Sequence, residues 1–253
     1  MGRQRSVAFD RIADSYDETR GGLERGAGFA RDIAPHLRPG AVAEVGVGTG
    51  AVALPLTALG HPVVGFDLSR PMVRHARARL GSRVATADGY HLPVRDRAVP
   101  NLVVVWVLHL VPEIAPLLAE LRRVLVPGGR LAVIPGPGHA DHDDIGAIAQ
   151  AMNADLHGAR TRPDEPATVI AAAESAGLAL ASQLATQDEV LWQSPEEVAD
   201  LFASRAFSSL WDVPDDRWAA VVEPAIAALR KLPEPDRARA RRARYELLMF
   251  DRP

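Results

Sequence analysis

The sequence predicts an α/β fold, a mostly parallel sheet covered by helices on both faces. Three observations carry this. Short apolar runs alternate with helix-compatible stretches between residues 41 and 134, the pattern of a doubly covered parallel sheet. The first run leads into Glu44-Val45-Gly46-Val47-Gly48-Thr49-Gly50, whose glycines turn the chain sharply and let its backbone approach a ligand. The second run ends in Asp67, a carboxylate that can accept two hydrogen bonds from a ribose diol. Together they predict an adenosine-containing cofactor across the carboxyl ends of parallel strands.

The elements follow in order. Residues 6–35 read as N-terminal helical segments that contain Tyr16. Strands are expected near 41–45, 63–67, 83–87, 102–107 and 130–134, with helices near 51–59, 71–80 and 113–125 between them. Ser69 is placed to cap a helix with Pro71 in its first turn. Pro127-Gly128-Gly129 stops the third helix and turns into the fifth strand. A helix over Thr168–Ala176 ends at Gly177, a C-cap. A sixth strand falls within 178–192, and Arg244–Phe250 reads as a seventh. Two segments stand outside the sheet. Residues 136–166 are rich in Pro, Gly, His and Asp. Residues 194–243 read as helical from Ser194-Pro195-Glu196-Glu197, with Ser at the cap and Glu at the third position.

The chain has 253 residues and a net charge of -3. That length is most simply one domain with inserts, and the charge gives no basic footprint for nucleic acid. Without cysteine, a disulfide, thiolate zinc site or cysteine nucleophile is excluded. No apolar run has transmembrane length, and Met1-Gly2-Arg3-Gln4-Arg5 leads into a polar amphipathic segment rather than a signal sequence. A cytoplasmic protein, monomeric or homodimeric and without membrane contact, is the expectation. The many Arg and Ala residues and a single lysine, Lys231, suggest a GC-rich, bacterial genome.

Gly46-x-Gly48-x-x-Ala51 also fits the dinucleotide fingerprint. Glu44 tilts the reading elsewhere, because a carboxylate there suits an ammonium group and repels a pyrophosphate. Gly50 makes the run G-x-G-x-G, and the third strand is followed by another acid, Asp88.

At these residues the chain resembles the class I S-adenosylmethionine-dependent methyltransferases, in particular the small-molecule branch that includes the ubiquinone and menaquinone biosynthesis enzymes. The resemblance rests on Ile12–Asp17, Glu44–Gly50, Gly65–Ser69, Ala87–Pro93, Trp106–Leu110 and Arg123–Leu131 in order, and covers residues 9 to 135. One departure is Pro100-Asn101, where the family has an Asp opening the fourth strand; Asn101 can still hydrogen-bond. The resemblance implies a Rossmann-like seven-stranded sheet of order 3-2-1-4-5-7-6, with strand 7 antiparallel. It also implies a lid from the N-terminal helices (6–35), a cofactor-binding core (41–135), and inserts (136–166 and 194–243) that cover the substrate pocket.

The resemblance implies S-adenosylmethionine as the cofactor, held by Tyr16, Glu44, Gly46, Val47, Gly48, Gly50, Asp67, Leu68, Met72, Asp88, Gly89 and Trp106. Glu44 would face the methionine amino group and Asp67 the ribose hydroxyls. Leu68 and Met72 would flank the adenine. Asp88 would accept from the adenine amino group, with the Gly89 amide nearby; its alternative is to cap the following turn. Tyr16 is a lid over the methionine end or a staple onto the core. Trp106 offers main-chain contact to the cofactor or joins the core.

His109 follows the fourth strand at the ligand-binding end of the sheet. It suits a general base, or shapes the methionine pocket. His139 and His142 are further candidates for acting on the substrate. The run His139–Asp144 makes a divalent site conceivable, but a solvated, helix-starting loop is the preferred reading, so no metal is expected. Phe202, Phe207, Trp211 and Trp218 fit an insert core better than a pocket lining. Arg237–Arg244 reads as a solvated helix face. The expected reaction is methyl transfer to a small-molecule acceptor in bacterial metabolism. The alternatives are a non-methylating enzyme of the same fold, catalysing a cyclisation, decarboxylation or hydroxylation, and a non-enzymatic partner of another enzyme.

Overall fold

The central strand of the larger sheet, Val42–Val45 (β1), is buried at every position, which accounts for its apolar residues and makes Glu44 the exception among them. Around it lie Val63–Asp67 (β2), Val84–Thr86 (β3), Val99–Val105 (β4), Leu125–Ile134 (β5), Ala179–Ala185 (β6) and Glu246–Asp251 (β7). The coordinates are a computed structural model that describes residues 9–10, 12–136, 139–140, 143–158 and 163–253. The sheet order is β3-β2-β1-β4-β5-β7-β6. Strands β1 to β5 are parallel, and β7 is antiparallel to both β5 and β6. Order and direction match the expectation. The order reverses between β1 and β4, so the crevice beyond their carboxyl ends is where such a sheet takes its ligand.

The helices follow their local signals. Arg70–Leu80 begins where Ser69 Oγ accepts from Met72 N at 3.3 Å, and ends at Gly81 with φ 65°. Ile114–Val124 buries Leu117, Leu118, Leu121 and Val124, a stripe at helical spacing that packs on Leu102, Val104, Leu131 and Val133 of the sheet. Asn101 is fully buried. Its amide donates to the Arg38 and Ala41 carbonyls at 2.9 and 3.2 Å, and its Oδ1 accepts from Arg38 N at 2.7 Å. The asparagine thus ties β4 to the chain entering β1.

Two boundaries differ from expectation. Strand β4 starts at Val99, so Pro100 lies inside it. Pro127–Gly129 is not a turn before the fifth strand but lies within it: the register against β4 shifts there, and Gly128 N and Gly129 O bond Arg252 instead.

Contacts divide the chain into two compact units. Met1–Pro137, Arg162–Gln187 and Tyr245–Pro253 form the one just described. Gly138–Thr161 and Asp188–Arg244 form the second, with a three-stranded antiparallel sheet in which Arg239–Arg244 lies between His139–Ala140 and Glu189–Gln193. Its helices Asp144–His157, Pro195–Ala203 and Glu223–Arg230 share a core that includes Ile145, Met152, Val198, Phe202, Val222 and Leu229. Phe207 and Trp218 pack on that core, and Trp211 Nε1 donates to the Arg205 carbonyl at 2.9 Å. The predicted capping box forms, with Ser194 and Glu197 exchanging bonds of 2.7 and 3.1 Å.

The reading of Arg237–Arg244 as a helix face is corrected here. Residues 239–244 are a strand, and the Arg/Ala spacing puts alternate arginines on one face. On that face Arg239 pairs with Asp144 and Arg241 with Asp143. These two carboxylates, which the metal alternative would have used, are therefore engaged by arginine, and Asp143 also caps its helix through Gly146 N. Among the described residues no group of three His, Asp or Glu side chains converges on a metal position.

The Asn101 network should carry measurable stability. Asn101→Leu would remove the partner of the Arg38 N–H and of the Arg38 and Ala41 carbonyls and is expected to cost roughly 1–3 kcal/mol. Urea unfolding that shifts by less than about 1 kcal/mol would show that those groups find other partners.

Candidate cofactor and active site

The site is built at the carboxyl ends of β1, β2 and β4. Gly46, Gly48 and Gly50 all take positive φ, at 76°, 54° and 84°, which folds the chain back from β1 into the following helix. Gly46 is constrained twice, because a Cβ there would lie 2.2 Å from Val107 Cγ2. Gly48 has open space where a side chain would stand.

Asp67 organises this loop. Its Oδ2 accepts from Gly48 N and its Oδ1 from Ser69 N, both at 2.8 Å. Burial raises its pKa, and the backbone N–H groups of Ser69 and Gly48 oppose that. Glu44, only 2% exposed, sits one strand away. Its Oε2 has no hydrogen-bond partner among the described residues. Burial, with a smaller push from Asp67, raises its pKa well above the usual carboxylate range. An acceptor oxygen stranded in this position fits a group that brings a donor with it, such as an ammonium.

A narrow cavity joins these parts. It is lined by Tyr16, Arg20, Arg25, Phe29, Glu44, Gly46, Val47, Gly48, Thr49 and Trp106, among others. Trp106 follows β4 with φ 55°, a left-handed backbone that is rare for a bulky residue. Its ring meets Phe29 edge-on at 5.3 Å and Tyr245 at 5.4 Å, and the Arg25 guanidinium lies 5.2 Å from its centroid. Its Nε1 is buried with no hydrogen-bond partner among the described residues. The cavity thus holds an orphaned acceptor on Glu44 and an orphaned donor on Trp106. Both fit an amino acid moiety with its paired charges, so the residues present suit the methionine end of S-adenosylmethionine.

The N-terminal segment reaches the same end of the sheet. Asp10 Oδ1 accepts from Ser69 Oγ at 2.6 Å, Asp14 pairs with His75 at 2.9 Å, and Asp17 accepts from Thr49 Oγ1 at 2.6 Å while pairing with Arg79. Burial raises the Tyr16 hydroxyl pKa, with Arg20 opposing it.

The expected residues are thus unequally distributed. Tyr16, Glu44, Gly46, Val47, Gly48 and Trp106 line the cavity. Gly50 and Asp67 shape the loop around it. Leu68 is exposed and Met72 buried. Asp88 accepts from Tyr90 N at 3.0 Å, so one oxygen caps the turn as the alternative reading had it, and Gly89 follows in that turn. His109 lies in the turn Leu108–Leu110 after β4. His139 belongs to a strand of the second unit, and His142 lies outside the described residues. Arg20, Arg25, Phe29 and Thr49 were not anticipated; the signal that could have found them is their spacing along the helical segment that carries Tyr16, and Thr49's place inside the glycine run.

Residues 43–133 match the family model for the methyltransferase domain. The chain is 36% identical over 141 residues to demethylmenaquinone methyltransferase of Thermus thermophilus, spanning 51% of this chain and 64% of that protein. It is 37% identical over 135 residues to malonyl-[acyl-carrier protein] O-methyltransferase of Erwinia pyrifoliae, spanning 50% of this chain and 48% of the relative. The chain therefore spans less than two thirds of the curated relatives it matches. Its fold is shared with the YcgJ protein of Bacillus subtilis, at TM-score 0.59 and 16% identity over 90% of this chain and 98% of that one. Geranyl diphosphate methyltransferase in complex with SAM shares it too, at TM-score 0.52 and 17% identity over 90% and 85%.

Glu44 yields a pH prediction. An acid whose pKa is raised by folding contributes its stability below its unfolded pKa and loses it as pH rises through the folded value. Glu44→Gln should therefore melt higher than the native chain near pH 8, by about 2–4 °C per kcal/mol gained, and the gap should close toward pH 4. Thermal melts that show no gap at pH 8 would mean that the buried carboxylate finds a donor.

Proposed function

We propose that the chain, whose residues 43–133 match the family model for the methyltransferase domain, transfers a methyl group from S-adenosylmethionine to a small-molecule acceptor in bacterial metabolism. The observation that carries this reading is the orphaned Glu44 oxygen beside the glycine loop. The cofactor supplies a methyl group on a cationic sulfur. Glu44 accepts from the methionine ammonium, and Arg20 and Arg25 provide positive charge for its carboxylate. Asp67 holds the ribose diol on the oxygens that also fix the loop. Leu68 and Met72 flank the adenine, and Asp88 and Gly89 meet its edge. Tyr16 and Trp106 close the methionine end and exclude water. Alignment of acceptor, carbon and sulfur supplies much of the rate, and His109 serves as base where the acceptor has a proton to lose.

The named acceptors of the relatives differ, so the acceptor is assigned by class: a small apolar or aromatic metabolite. The second unit, outside the matched segment, is the part of the chain to which we assign acceptor choice, within what we read as a single methyltransferase domain. No helix among the described residues is long and apolar enough to cross a membrane. A cytoplasmic monomer or homodimer that binds no nucleic acid completes the proposal. The methyltransferase names of the relatives count against the non-methylating alternative. Release of S-adenosylhomocysteine in step with product tests it directly; turnover without that release would replace methyl transfer with the alternative.

Two variants test the assignments. Asp67→Ala should weaken S-adenosylmethionine binding by roughly 1.5–3 kcal/mol, as for hydrogen bonds to a charged group; unchanged affinity by calorimetry in a folded variant removes Asp67 from the site. For the lid, hydrogen exchange should show residues 12–25 becoming protected when S-adenosylmethionine binds, and Tyr16→Ala should lower turnover at least ~10-fold with little change in melting. Normal turnover with early melting would make Tyr16 core packing.

A further inference from the structure

The three-stranded sheet of the second unit has Glu189–Gln193 at one edge, bonded to a single neighbour, Arg239–Arg244. On the other side, the backbone groups of Val190, Leu191, Trp192 and Gln193 meet no backbone partner among the described residues. Natural edge strands are blunted by proline, lysine or a bulge. Glu189-Val190-Leu191-Trp192-Gln193 contains neither proline nor lysine, and its register against Arg239–Arg244 runs through without a shift. An unblunted edge is a template for another strand.

The polarity of this sheet is inverted. Leu191, Gln193, Arg239 and Arg241 share one face, and there Arg239 pairs with Asp144, Arg241 with Asp143, and Arg241 donates to Gln193 at 3.0 Å. The opposite face carries Val190, Trp192, Ala240 and Arg242, all exposed. Trp192 is 69% exposed and Val190 48%. A sheet with one face in water normally turns its apolar residues inward and its polar ones outward. One exposed apolar side chain would mean little, but two neighbours on the open face of an unblunted edge mark a contact surface.

We infer that this strand joins two copies of the chain, paired edge to edge and antiparallel about a twofold axis at Leu191. The inference is independent of the reaction the chain catalyses. The register is self-complementary. Val190 stands beside the partner's Trp192, and Trp192 beside the partner's Val190, so the apolar side chains of both copies join in one strip. Glu189 faces the partner's Gln193 and no like charge. The two copies of Arg242 are three strand spacings apart, about 14 Å, beyond the Debye length of about 8 Å at physiological salt. An anionic lipid surface fits this face less well. Arg244 is held by Asp188, which leaves Arg242 to attract it, and one such cation contributes about 1 kcal/mol. The two tryptophans bring roughly 300 Å² of surface to the contact, which falls well short of the about 1,200 Å² of a standard interface. The dimer is therefore weak and concentration-dependent.

Sedimentation velocity of the full chain between about 5 and about 500 μM should show a rising dimer fraction. Val190→Lys places a charge on the edge strand and should keep the chain monomeric throughout, with melting unchanged because Val190 is exposed. Leu191→Cys adds a cysteine on the twofold axis to a chain that has none. It should form an interchain disulfide on mild oxidation, whereas Leu59→Cys, at an exposed apolar position on another element, should not. A native chain that stays monomeric over the whole range overturns the proposal, and so does a dimer that Val190→Lys leaves intact. Crosslinking of Leu191→Cys no faster than that of Leu59→Cys also overturns it. A monomer that sediments with phosphatidylglycerol vesicles, and loses that binding in Trp192→Ala, replaces the second copy with a lipid surface.

Discussion

Burying Glu44 costs the ligand-free protein stability, because its carboxyl has left water and its Oε2 meets no donor among the described residues. Several features of the fold exist around that cost. Strand β1 is central and buried throughout, so its last residues cannot reach solvent. The neighbouring strands are parallel, which brings the ends of β2 and β4 to the same side. Asp67 therefore stands close enough to make Glu44 still less willing to ionise. Two acids are thus held near each other with donors for only one of them, since Gly48 and Ser69 serve Asp67. A cationic ligand relieves both at once. The instability is the other face of selectivity: a pyrophosphate placed between Glu44 and Asp67 would meet two acids.

The N-terminal segment shows the same logic at lower stakes. Asp10, Asp14 and Asp17 recur at close to helical spacing and engage Ser69, His75, Thr49 and Arg79. Of these, the exposed Asp14–His75 pair contributes at most about 1 kcal/mol. Together the contacts hold the segment in place without locking it, which suits an element that must admit a ligand. Gly26 allows the close approach: a Cβ on it would lie 2.1 Å from the Ala51 carbonyl, so any other residue would lift the helix Gly22–Ile33 from the turn that follows the glycine run.

What was legible in the sequence is what local chemistry decides. The glycine turn, the Ser69 cap, the Ser194–Glu197 capping box and the helix stop before Gly177 each depend on residues a few positions apart. Strand order came from the family resemblance, and the structure agrees with it. Arg239–Arg244 was misread because arginine and alanine both favour helix intrinsically, while the strand is held by carboxylates nearly a hundred positions earlier. Those partners lie too far along the chain for local spacing to reveal them. Arg20 and Arg25 were missed because a cation on a polar helix is ordinarily a solvated one.

Trp106 connects these pieces. A bulky residue with φ 55° carries strain of about 1–3 kcal/mol, and the surrounding packing must hold it. Phe29, Tyr245 and Arg25 do so from three sides. The left-handed residue turns the chain sharply as it leaves β4. Because of that turn Val107 falls into the space beside Gly46, and His109 follows in the turn Leu108–Leu110. The shape of the glycine loop and the placement of His109 are therefore not independent. A side chain at position 46 would displace Val107, and the displacement would be felt two residues later at His109. The donor loop and the proposed base hang on one strained residue, so the strain is better understood as the means of setting the two in register than as a defect of packing.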